Sequence, residues 1–198
     1  MRLAIADPPY LGRAALWYGG KGRNKQGSPG RARGRGDLSP EFHPDAHQWD
    51  ASDAHHDLMR RLDAEYDGWA MSASAKTLPA LAIAIPERAR IAVWRVTNAI
   101  PDGCRVRSTW EPLIYSIPSG RRAYGTGHVV ADVLEAPHPM SGFVGSKPVA
   151  WTSWVLALLG HQAGDEVDDL FPGSGAVTRA VVASGGGDLF GTIPMELG

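Results

Sequence analysis

The chain has 198 residues, 20 lysines and arginines against 21 aspartates and glutamates, and a formal net charge of −1. That length predicts one domain with a substantial core, and so balanced a charge excludes recognition of a partner by overall charge alone. A single cysteine, Cys104, excludes an internal disulfide, and no apolar run reaches the about 18 residues of a membrane-crossing helix, so a reducing cytoplasm is the expected setting.

Residues 2–6 form a short apolar run bearing Leu3 and Ile5, as in a buried parallel strand, and Asp7-Pro8-Pro9 then stops it. Each proline removes a backbone donor and fixes φ. The acid is left at the carboxyl end of a strand, where ligands bind in open α/β sheets, and Tyr10 adds an aromatic ring. A carboxylate, a rigid turn exposing its carbonyls and a ring together suit a flat base bearing an amino group.

From residue 11 to about residue 50 apolar periodicity lapses. Arg13, Lys21, Arg23, Lys25, Arg31, Arg33 and Arg35 fall there with no acid between Leu11 and Gly36, so an acidic body carries one basic segment. A loop this long is either functional or disordered. The functional reading assigns Lys21, Arg23, Lys25, Arg31, Arg33 and Arg35 to phosphates, and Trp17 and Tyr18 to stacking on a base. His43, His47, His55 and His56 match no zinc spacing and have no cysteine partner, so loop anchoring or helix capping is expected of them and no metal.

A helix over residues 52–66 follows, capped by Ser52 or Asp50, with His55, Leu58, Met59, Leu62 and Tyr66 near one face. A strand over 69–72 places Ser72, Ser74 and Lys76 at its carboxyl end as candidates for a pocket wall. Residues 77–85 read as a short helix with Leu78, Leu81, Ala82 and Ile85 inward, and 91–96 and 110–117 as further strands. A second basic and aromatic loop then carries Arg121, Arg122 and Tyr124. Pro148 suits the first turn of a helix whose Trp151, Trp154, Val155, Leu158 and Leu159 recur at helical spacing before Gly160 ends it. Residues 166–170 read as a strand, and Gly173, Ser174 and Gly175 as a turn that lets backbone approach a ligand with no side chain in the way. A helix to residue 184 and a strand over 188–193 complete the expected order.

Three of these stretches together resemble the amino-methylating DNA methyltransferases that use S-adenosylmethionine: Asp7-Pro8-Pro9-Tyr10, Ser146-Lys147-Pro148, and Asp169-Leu170-Phe171-Pro172-Gly173-Ser174-Gly175. The first is similar to that family's catalytic motif, the last to its cofactor loop, and the second to the Lys-Pro segment preceding that loop. The resemblance implies an α/β, Rossmann-like class I methyltransferase fold over residues 1–198, with a mostly parallel central sheet and helices on both faces. The catalytic motif comes first, as in the circularly permuted β-type members. Asp7, Pro8, Pro9 and Tyr10 are the catalytic residues that the resemblance implies. Asp169, Phe171, Gly173, Ser174, Gly175, Lys147 and Pro148 would bind the cofactor, S-adenosylmethionine.

DNA is the implied partner and adenine the implied target, since cytosine members usually carry serine in place of the first acid. RNA adenine, a cytosine amino group, or a non-catalytic nucleic-acid-binding protein of the same fold are the alternatives. Arg121 and Arg122 join the basic segment as expected nucleic-acid contacts. The segment 118–146 is expected as a short loop where larger members carry a target-recognition domain. The carboxyl end is short for the family, which leaves Glu196 as the only late acid for the ribose hydroxyls. The implied setting is a bacterial or phage-infected cytoplasm, with no membrane and no metal; a homodimer is left open.

Overall fold

The structure is a computed structural model and describes residues 1–14, 46–99, 105–125, 127–139, 146–172, 177 and 180. Its strands are Arg2–Ala6 (β1), Gly68–Ser72 (β2), Arg90–Val96 (β3), Trp110–Ser116 (β4), Val133–Ala136 (β5) and Glu166–Asp169 (β6). Its helices are Ser52–Glu65 (α1), Leu78–Leu81 (α2) and Val149–Leu158 (α3), with single 3-10 turns at Ala46–Asp50, Ala82–Ala84 and Ser119–Arg121.

These strands form one sheet in the order β5-β3-β4-β2-β1-β6. β1 runs parallel to both β2 and β6, β3 runs parallel to β5, and β4 lies antiparallel between β2 and β3. The expected mostly parallel α/β sheet is therefore present, with one reversed strand inside it.

Side-chain alternation along each strand decides which layer a residue joins. Leu3 and Ile5 of β1 pack with Trp94, Leu113 and the α3 residues Trp151, Val155 and Leu156. Ala4 and Ala6 pack on the other face with Trp69, Met71, Ile114 and the α1 residues Leu58, Met59 and Leu62. Helices thus cover both faces, as expected. Each fully buried large side chain contributes about 1.5–3 kcal/mol relative to exposure, and Trp69, Trp94 and Trp151 are among the largest.

Several expectations are corrected. α1 is preceded by Ala51 in extended conformation, with no side-chain cap. Asp50 instead accepts the Ala14 backbone N–H at 2.9 Å. The helix expected over 77–85 is one α-turn run into a 3-10 turn, where Ile85 N–H closes on the Ala82 carbonyl, and Ala82 is exposed rather than inward. Pro148 is the residue before α3, not within its first turn. The stretch 118–146 is not all loop: β5 pairs in parallel with β3, and the Trp94 indole donates to the Ala136 carbonyl at 3.0 Å. Four residues on a sheet edge, only Ala136 of them buried, leave too short a pattern to read. The helix to residue 184 and the strand over 188–193 fall wholly or mostly outside the described residues.

Candidate active site

The carboxyl edge of the parallel strands brings together four chain segments. Asp7 follows directly on β1, β2 ends in Ser72, and β6 ends in Asp169, which registers beside Ile5. Because β4 is reversed, its beginning rather than its end reaches this edge, and it delivers Glu111. Lys147, just before α3, extends into the middle of them.

Lys147 is 8% exposed, yet its ammonium is compensated by one hydrogen bond and two ion pairs. Nζ lies 2.9 Å from Asp7 Oδ1, 2.8 Å from the Tyr10 hydroxyl and 3.4 Å from Glu111 Oε2. The Tyr10 hydroxyl donates in turn to Glu111 Oε2 at 2.5 Å and lies 3.2 Å from Ser72 Oγ. A closed ring of polar contacts therefore holds the Asp-Pro-Pro-Tyr turn against the start of β4.

The protonation preferences follow from burial and charge. Burial raises the Asp7 carboxyl above the ordinary aspartate value, and Lys147 opposes that rise. Burial, reinforced by the Glu111 charge, pushes the Tyr10 phenol well above its usual range. Burial opposes the charge on Lys147, but Asp7, Tyr10 and Glu111 outweigh it and hold the ammonium well above its ordinary value. Burial also raises Asp169, against the Phe171 N–H that its Oδ1 accepts at 3.3 Å, and the Asp7 charge adds to the rise.

Phe171 is fixed from outside the edge. Its ring meets Trp49 edge-on at 5.1 Å, and Trp49 meets His55 at 5.3 Å. His55 Nε2 lies 3.0 Å from the Trp49 carbonyl. This histidine anchors a loop, as its sequence context suggests, and among the described residues no cluster of histidine, cysteine or acid is arranged to hold a metal ion. Nor is any described helix long and apolar enough to cross a membrane.

The structure thus brings Asp7, Pro8, Pro9, Tyr10, Lys147, Pro148, Asp169 and Phe171 to one neighbourhood. Lys147, expected at the cofactor, has its ammonium on the Asp-Pro-Pro-Tyr turn. Arg121 and Arg122 lie at the opposite edge of the sheet: Arg121 pairs with Asp165, which immediately precedes β6, and Arg122 Nε donates to the Ile117 carbonyl. A cavity of about 590 Å3 opens at that far edge, between Arg90, Tyr115, Arg122 and His161, away from Asp7. Gly173, Ser174, Gly175 and Glu196 fall outside the described residues, as do Trp17, Tyr18, Lys21, Arg23, Lys25, Arg31, Arg33 and Arg35. Glu111 was missed by sequence reasoning; the available signal was an acid flanked by Trp110 and Pro112 at the head of an otherwise apolar strand.

No protein-family model matches this chain, and no curated protein is a significant match. Solved structures do match. The crystal structure of M1.HpyAVI in complex with SAM superposes over 93% of this chain and 78% of its own, at 13% identity and a TM-score of 0.52. A second structure of M1.HpyAVI covers 92% and 76% of the two chains, at 14% identity and a TM-score of 0.49. The likeness to the first establishes the fold, that of the class I methyltransferases.

Proposed function

We propose that this protein is an S-adenosylmethionine-dependent DNA methyltransferase that methylates the exocyclic amino group of adenine. The observation that carries the reading is the convergence of Asp7-Pro8-Pro9-Tyr10 and Asp169-Leu170-Phe171, far apart in sequence, on adjacent parallel strands at one sheet edge. The donor set fits a cationic cofactor, because the Asp7 and Asp169 carboxyls, at the ends of adjacent parallel strands, feel each other's charge. Asp169 and Phe171 are the described residues that would hold it. When bound, S-adenosylmethionine supplies a methyl group made electrophilic by its sulfonium.

The remaining work falls to the chain's own side chains. An exocyclic amino nitrogen is a poor nucleophile because its lone pair is delocalised into the ring. Hydrogen bonds from its two hydrogens to the Asp7 carboxylate and the Pro8 carbonyl return density to nitrogen. Asp7 then accepts the proton that nitrogen sheds after alkylation. Pro8 and Pro9 keep carboxylate and carbonyl at fixed spacing, so positioning supplies much of the rate. Stacking of the base on Tyr10 is worth about 1–3 kcal/mol, comparable with the few kcal/mol needed to unstack a paired base.

The experiment is Asp7→Ala. Adenine methylation of DNA should be lost while cofactor binding, measured by calorimetry, survives. Retained methylation sinks the assignment.

A further inference from the structure

The Asp-Pro-Pro-Tyr turn does not stand alone at its edge, and the two residues that hold it come from segments with no part in that motif. We infer that Glu111 and Lys147 act as an opposed pair of positioning residues: Lys147 keeps the Asp7 carboxylate ionised, and Glu111 holds Lys147 and Tyr10 in place while limiting how strongly Lys147 binds Asp7. The inference rests on the methyltransferase reading for its purpose, though its electrostatics stand on geometry alone.

The geometry is specific. Three oxygens surround the Lys147 ammonium: it donates to the Tyr10 oxygen and forms ion pairs with Asp7 Oδ1 and Glu111 Oε2. Because Lys147 donates to the Tyr10 oxygen, the phenol hydrogen is directed to Glu111, which it meets at 2.5 Å. Glu111 therefore fixes both neighbours with one oxygen. Asp7 meets Lys147 through Oδ1 and hydrogen-bonds the Ser72 side chain as well. The Asp7 side chain keeps 24% of its exposure, so a ligand can reach it, whereas Lys147 keeps only 6%.

The balance matters because a carboxylate that must accept an amino hydrogen has to be charged, yet not saturated by its own counter-ion. Lys147 alone would bind Asp7 tightly and lower its basicity. Glu111 shares the ammonium and, as a like charge, raises the proton affinity of Asp7. The other groups facing Asp7 are Tyr10 on its own turn, Ser72 at the end of β2 and Asp169 at the end of β6. Of these Asp169 acts in the same direction as Glu111, so Lys147 is the one described cation set against two acids.

Carboxyl-carbon NMR of the purified protein, labelled at aspartate and assigned with Asp7→Asn, measures the Asp7 titration without any cofactor. Lys147→Met should move its midpoint up by about 1–3 pH units, and Glu111→Gln should move it down. Lys147→Arg, which keeps the charge, should restore a midpoint near the wild-type value and covers the case in which Lys147→Met fails to fold. The acid limb of the methylation rate should follow the same two directions, with KM for S-adenosylmethionine unchanged in Glu111→Gln. Midpoints that do not move, or that move the same way in both variants, overturn the inference. Opposite shifts in a protein that transfers no methyl group would uphold the coupling and discard the methyltransferase reading instead.

Discussion

Arg121→Ala tests where this protein uses its cations. Arg121 Nη1 donates to Asp165 and, at 2.8 Å, to the Gly160 carbonyl, while Nη2 donates to Asp165 Oδ1 at 2.8 Å. The two side chains keep 9% and 3% of their exposure, so the pair is buried and poorly screened. Removing the guanidinium leaves Asp165 with the Gln162 N–H at 2.8 Å and the Met1 ammonium at 2.9 Å. Breaking a buried pair from one side costs about 3–5 kcal/mol, and those two remaining donors put Arg121→Ala near 3 kcal/mol. The loss should carry an acid signature. Burial alone would raise the Asp165 carboxyl, but Arg121, the Met1 ammonium and the Gln162 N–H hold it well below the ordinary value. A folded pKa below the unfolded one gives stability that is present above about pH 4 and lost as the pH falls further. Urea denaturation should therefore show the variant and the wild type converging in strong acid. A stability loss under about 1 kcal/mol, with a salt slope for DNA binding reduced by about 0.9, would instead make Arg121 a phosphate contact and refute the structural role.

Gly68→Ala should destabilise the fold by about 1–3 kcal/mol in the same denaturation assay, because the added Cβ would sit 2.5 Å from Pro118 Cδ, in a ring that cannot swing away; a change within about 0.5 kcal/mol would contradict the packing. His55 is buried, and burial lowers its pKa. The unfolded chain therefore takes up that proton first, and stability should fall as the pH drops through about 6.5. His55→Gln should flatten that part of the curve, and an unchanged slope would place the titration elsewhere.

Much of the fold was legible because its signals are local. The apolar run of β1 ends where Asp7-Pro8-Pro9 must end it, and the stripe of Trp151, Trp154, Val155 and Leu158 marks α3 as a core helix. The glycine stop also reads correctly, with Gly160 at a φ of +66°. What escaped depends on pairing at a distance. That β4 runs backwards between β2 and β3 cannot be read from its own seven residues, and without that direction Glu111 belongs to the wrong edge. Arg121 reads as one more surface cation until Asp165 is seen beside it, and Lys147 reads as part of its Lys-Pro neighbourhood until its side chain is followed to Asp7. The cap expected of Asp50 fails for a similar reason: its carboxylate is engaged by Ala14.

The reversed strand also bears on how the molecule assembles. The side chains that meet at the edge enter the chain at positions 7, 72, 111 and 147, so no local stretch can form the cluster by itself. Contacts of such long sequence separation give nothing back until the intervening loops have closed, which places completion of the cluster late in folding. By the same token, a ligand gripping Asp7 and Tyr10 would be coupled to the docking of β1, β2, β4 and the lead-in to α3 together. Its binding energy would then appear as a rise in the melting temperature of the whole domain rather than as the ordering of one loop.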